Sequence, residues 1–151
     1  MKSFWGPFLF GIGIIGMLDG IILHQLLQWH SIYMHTNREG QIFSDGLFHL
    51  FVTVVILIAG VLMWQDNTSG RKGSLYTFWG SFLLGAGGFN LVEGIVNHHL
   101  LRIHHVRPYS PYSVIYDLSF DGIAILMLGI GWFLYKKGKR IAQSVTTKDR
   151  A

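Results

Sequence analysis

Four apolar runs govern what this chain can become. They extend from Phe4 to about Trp29, from Leu47 to Trp64, from Leu75 to about Leu101 and from Val114 to Tyr135. Each can cross ~30 Å of hydrocarbon as a helix rising ~1.5 Å per residue. A helix satisfies its own backbone in lipid, which an isolated open strand cannot do. Polar connections separate the runs: Ser31 to Ser44, Gln65 to Ser74 and Val106 to Ser113. The middle one is rich in Gly and polar residues, and the last carries Pro108 and Pro111, which stop a helix. Only 13% of the residues are charged, about half of what a soluble domain carries. The apolar content excludes disorder, the absence of Cys excludes a disulfide scaffold, and a net charge of +4 on such a chain does not make a nucleic-acid binder. The expected fold is all-α: an integral membrane four-helix bundle, residues 1–151 forming one transmembrane domain.

Positive charge sets the orientation. Nine basic residues fall on one side (Lys2, Arg71, Lys72, Lys136, Lys137, Lys139, Arg140, Lys148, Arg150) and three on the other (Arg38, Arg102, Arg107). Both termini are therefore expected in the cytoplasm, with the connections containing Arg38 and Arg107 facing outward. The first run has no small-x-small cleavage site and carries Asp19 and His24, so it reads as retained rather than as a signal peptide. The tail 136–151 is expected to lie loosely on the cytoplasmic surface, as a stop-transfer cluster.

The chain also repeats itself. Residues 4–30 align with 78–104 without a gap, and thirteen of the 27 pairs are identical. Among them are Phe4-Trp5-Gly6 with Phe78-Trp79-Gly80, His24 with His98, and His30 with His104, while Asp19 meets Glu93. Shared apolar composition would not match histidines and a carboxylate at one offset. At an offset of 72, Asp45 meets Asp117 and His49 meets Asp121. The expectation is a duplicated two-helix hairpin, about 4–64 and 78–135, in two parallel repeats around an axis along the membrane normal.

Counted by rise from the cytoplasmic helix ends, Asp19, His49, Glu93 and Asp121 stand roughly 21–23 Å up. His24, Asp45, His98 and Asp117 stand roughly 27–30 Å up. Each layer takes one residue from every helix. Asp45 and His49 share a face at i,i+4, as do Asp117 and Asp121. Asp19 to His24 and Glu93 to His98 are i,i+5, ~140° apart on an ideal helix. A π-bulge near Gly20 and Gly94 would align them.

Histidines and carboxylates converging from four helices suit a transition metal, with Zn, Fe or Mn favoured over Cu(I) by these donors. The expected ligands are His24, Asp45, His49, His98, Asp117 and Asp121, with Asp19 and Glu93 as further ligands or as a catalytic general base. Asn90, Asn97, Gln25 and Gln28 are candidates to orient the ligands. His99, His104 and His105 read as an outer mouth that either forms an entry path or completes a site, and His30 and His35 as lying near water. Three other readings stand beside this one. His24 and His98 could be axial ligands to one haem b. The polar residues could simply hydrogen-bond to one another, Asp19 pairing with His98. The same ligands could hold an ion transiently, as in a carrier or assembly factor. The inner halves of the runs are almost purely apolar, which disfavours full translocation. The lipid bilayer is the expected partner, a homo-oligomer is left open, and nucleic acid is not expected.

Three segments carry a family likeness: Asp19-Gly20-Ile21-Ile22-Leu23-His24-Gln25-Leu26-Leu27-Gln28-Trp29-His30, Asp45-Gly46-Leu47-Phe48-His49, and Glu93-Gly94 followed by His98-His99-Leu100-Leu101 and His104-His105. They resemble a family of small bacterial predicted membrane proteins with a domain of unknown function. The resemblance covers nearly the whole chain and implies a four-helix integral membrane protein, without bringing an activity. Ser31 departs from it, standing where a histidine would be expected.

Overall fold

A computed structural model describes residues 2–66 and 74–148. Most of the middle connection, with Arg71 and Lys72, lies outside the described residues, as does Arg150. The described residues form four α-helices and no strand: α1 (Lys2–Asp19), α2 (Arg38–Asp66), α3 (Ser74–Glu93) and α4 (Ser113–Lys148). α1 and α3 each run directly into a π-helical segment, Gly20–Leu26 and Gly94–Leu100. These are the two places where the i,i+5 spacing called for one.

α1 and α3 form the centre, with α2 packed on α1 and α4 on α3. The central pair approaches very closely. A methyl group on Gly11 would collide with the carbonyl of Phe82, and one on Gly85 with the carbonyl of Phe8. Absence of a side chain lets the two backbones touch, as small residues do at membrane helix interfaces. The buried apolar residues are small (Val52, Ala59, Ala86, Ala124), while large ones such as Phe43, Leu50, Leu57, Trp64, Leu126 and Phe133 point outward. That is the arrangement expected of helices bathed in lipid rather than water.

Three stretches are long and apolar enough to cross a membrane: Ser3–Leu26, Arg38–Asp66 and Ser113–Val145. α3 falls short of that standard, against the expectation of four equal spans. It is enclosed between α1 and α4, and buries Ser81, Asn90 and Glu93. A helix screened from lipid by its neighbours need not be apolar all round.

Two boundaries differ from the sequence reading. α2 begins at Arg38, so much of the connection expected over Ser31 to Ser44 is helix. α4 continues to Lys148, so the basic stretch from Lys136 is helical where a loose tail was expected. The 36 residues of α4 reach about 54 Å at ~1.5 Å each, well beyond the hydrocarbon thickness. Hydropathy marks the apolar part of a helix and is blind to polar turns that extend it into water. On that stretch Lys136 lies over Trp132 at 4.9 Å and Lys137 over Tyr76 at 4.4 Å.

Both π-helical segments end the same way. Leu27 N donates to Ile22 O and Leu101 N to Val96 O, each at 2.8 Å. Gln28 and Arg102 then take φ of 51° and 49°. Neither is glycine, so each left-handed turn costs about 1–2 kcal/mol. The turns fold the following residues back over the bundle, and that reversal builds the site.

Candidate metal centre

Beyond the reversals, His30 and His104 return to the interior beside His24 and His98. The four rings make a continuous chain. His24 and His30 have centroids 4.6 Å apart, His30 and His104 stack at 4.5 Å with planes 9° apart, and His104 and His98 lie 5.0 Å apart. His24, His30, His98 and His104 expose only 4%, 4%, 2% and 3% of their surface. The carboxylates Asp19 and Glu93, at the last turns of α1 and α3, are buried with them.

These six residues form two triads, Asp19 with His24 and His30, and Glu93 with His98 and His104. In each, one ligating atom per residue lies within 4.8 Å of the other two. The triads are the same three positions in the two aligned segments, and the π-helical segments make each possible. In the first, His24 Nε2 comes to 3.1 Å from Asp19 Oδ2 across the i,i+5 step.

Hydrogen bonds on the outer side fix the ring tautomers. His24 Nδ1 donates to Asp45 Oδ1 at 3.0 Å. His30 Nδ1 donates to the carbonyl of Val106 at 2.8 Å, and His104 Nδ1 to the carbonyl of Ile32 at 3.1 Å. A carbonyl or carboxylate can only accept, so each Nδ1 carries hydrogen and a neutral ring turns its Nε2 lone pair inward. Burial, with His104 and His24 as like-charged neighbours, pushes His30 down to about 3. Burial likewise pushes His104 down to about 4. Both rings are therefore neutral at ordinary pH. Among the described residues Glu93 Oε2 and Nε2 of His30 and His104 have no hydrogen-bond partner, and Asp19 Oδ2 meets only His24 Nε2, at 3.1 Å. Lone pairs and carboxylate oxygens face one another in a buried space, an arrangement that asks for a cation.

The other residues expected as ligands stand outside the triads. Asp45 sits behind His24 and also accepts from Ile32 N at 2.8 Å. Asp117 accepts from Val106 N at 2.9 Å and His105 Nδ1 at 2.6 Å, with His98 Nδ1 at 3.8 Å. His49 donates to the carbonyl of Asp45 at 2.8 Å and packs its ring against Gly20. Asp121 packs against Gly94 and accepts from His99 at 2.7 Å. α2 and α4 flank the central pair, so their polar residues stand behind the two triads. Asn90 is buried with its Oδ1 unpartnered, whereas Gln25 and Gln28 are exposed. His30 and His104, placed near water and at the mouth by sequence, complete the two triads. Their signal was present in the alignment, where they match at the same offset as His24 and His98.

No curated protein and no solved structure matches the chain. The profile of a family of predicted membrane proteins, DUF2243, matches residues 6–138. With most of its length so matched, the chain belongs to that family of membrane proteins of unknown function.

Proposed function

We propose that this protein binds one or two transition-metal ions, one in each triad, near the outer surface of a bacterial inner membrane. The observation that carries the reading is the inward Nε2 of His30 and His104, lone pairs buried beside Asp19 and Glu93 with no hydrogen-bond partner among the described residues. A buried carboxylate is costly unless an opposite charge or a proton offsets it. A divalent ion supplies that charge and takes up the lone pairs. The donors are nitrogen and oxygen, which suit Zn, Fe or Mn. Asp45 behind His24 is the carboxylate support that metal-bound histidines commonly have.

In this reading Asp19, His24 and His30 hold one ion and Glu93, His98 and His104 the other. Asp45 and Asp117 orient ligands, and His49 and Asp121 brace the π-helical segments. The haem alternative is weakened by the stacked rings of His30 and His104, which occupy the space between His24 and His98. Simple pairing of polar residues would satisfy Asp19 with a protonated His24 and still leave Nε2 of His30 and His104 and Oε2 of Glu93 without a hydrogen-bond partner. An enzyme would use such an ion to activate water or oxygen, with a free carboxylate as base. A carrier would release it. The aromatic and basic residues around Lys136 and Lys137 favour a cytoplasmic position for both termini.

Metal analysis and a visible spectrum of protein purified without chelators test the reading. Stoichiometric zinc, iron or manganese is expected, with loss from the first triad in His30→Ala and from the second in His104→Ala. A Soret band would replace the reading with haem, and absence of both metal and chromophore would overturn it.

A further inference from the structure

A cavity of about 210 Å³ opens beside the first triad. Its walls include His24, His30, Ser31, Met34, Arg38 and Gln41. We propose that this cavity binds a small oxyanion or carboxylate, one end on the ion held by Asp19, His24 and His30 and the other on Arg38. The inference rests on the metal reading of that triad and adds the class of molecule that meets the ion.

Three features of the cavity select that chemistry. It reaches two of the three ligands of one triad, so a molecule inside it can occupy an open coordination position. Its cation is available: among the described residues Arg38 makes no ion pair and no hydrogen bond. The nearby acid Asp45 is already committed to His24 and Ile32. An unpaired guanidinium beside a cavity is a fork for oxyanions. Finally, the volume equals several water molecules at ~30 Å³ each, which admits acetate or phosphate and excludes an acyl chain.

The second half of the chain lacks this arrangement. The position matching Ser31 is His105, whose ring closes onto Asp117 at 2.6 Å. The position matching Arg38 is Ser110 or Tyr112, at an offset of 72 or 74, and neither is cationic. The two triads share ligand types, while at these matched positions the first has Arg38 beside it and the second has no cation. The pair therefore divides the work: one ion meets the anion, and the other is held by protein groups.

The test uses the full chain loaded with cobalt(II) in phosphatidylcholine nanodiscs, with sodium acetate as probe and the visible ligand-field bands as readout. Acetate is expected to shift the bands saturably. Arg38→Gln should keep the cobalt stoichiometry and the acetate-free spectrum, and weaken acetate binding by about tenfold or more. Arg140→Gln, a cation removed at the opposite end of α4, should leave acetate binding unchanged. Adding phosphatidylglycerol separates two sources of oxyanion. Loss of the acetate response would assign the pocket to a lipid phosphate, and an unaltered response to a free anion. Normal cobalt loading with no acetate shift, or with equal affinity in Arg38→Gln, would overturn this inference and leave the metal reading intact. Failure to load cobalt would overturn both.

Discussion

His30 of the first half donates through Nδ1 to the carbonyl of Val106 in the second, 2.8 Å away and 76 residues later in sequence. The reciprocal bond runs from His104 to the carbonyl of Ile32 at 3.1 Å. The same two residues are tied on their other side, Ile32 N to Asp45 and Val106 N to Asp117. Each triad thus takes its third histidine from a strap whose orientation is set by the opposite half. These four bonds fall at matching positions of the two aligned segments.

Crossing predicts an effect at a distance. Asp117 lies behind His98 in the second half, yet through Val106 it positions His30 of the first triad. In a His98→Ala background, where only the first triad is complete, adding Asp117→Ala should weaken metal binding by about 10–100-fold, the size seen when outer partners of ligands are lost. Competition with a chromophoric chelator measures it. Unchanged affinity would show that the strap holds His30 without Asp117.

Asp45 makes a direct prediction. Its Oδ1 accepts from both His24 Nδ1 and Ile32 N. Asp45→Asn keeps the shape and removes the negative charge behind His24. Affinity at the first triad should fall by about 10–100-fold with the helical content intact. Circular dichroism beside metal titration separates this from misfolding, and an Asn variant with full affinity would reduce Asp45 to a packing role.

The residues on α1 and α3 were legible because chemistry repeated at one offset. Asp19, Glu93, His24 and His98 stood out there, and their i,i+5 spacing beside Gly20 and Gly94 asked for the π-helical turns that the chain adopts. His30 and His104 were misplaced by a physical assumption, that height keeps rising along the helix. The chain reverses at Gln28 and Arg102, left-handed positions filled by residues with no sequence signature for such a turn. Asp45, His49, Asp117 and Asp121 have heights that suit ligands. Rise alone cannot tell a residue at the centre from one on a flanking helix. That distinction comes from the close α1–α3 contact at Gly11 and Gly85.

That contact is itself testable. Gly11→Ala or Gly85→Ala would press a methyl group into the opposing backbone carbonyl and force the central helices apart. Overpacking of this kind costs about 1–3 kcal/mol, and here one triad follows each of the two helices with His30 stacked on His104 between them, so metal retention should fall with thermal stability. Gly46 and Gly60 on α2 have nothing within 4 Å of the point where a methyl group would sit, and Ala there should be neutral or slightly stabilising. Melting curves of the four variants decide it. Equal behaviour would mean that α1 and α3 do not pack through these glycines.

The two crossed histidines also set an acid limit on the metal-free protein. His30 is pushed down to about 3 and His104 to about 4 by burial, against about 6.5 in an unfolded chain. Between those values the unfolded chain binds more protons than the folded one, so stability rises with pH. The contribution is fully present above about 6.5 and is lost progressively as pH falls toward 4. Melting temperature should therefore drop between neutral pH and pH 5. In a His30→Asn, His104→Asn double variant, whose side-chain amides can donate to the same carbonyls, the drop should be smaller. An equal drop in both proteins would place the acid sensitivity elsewhere. Bound metal should steepen the wild-type dependence, because ligation adds to the preference of the folded state for neutral imidazole.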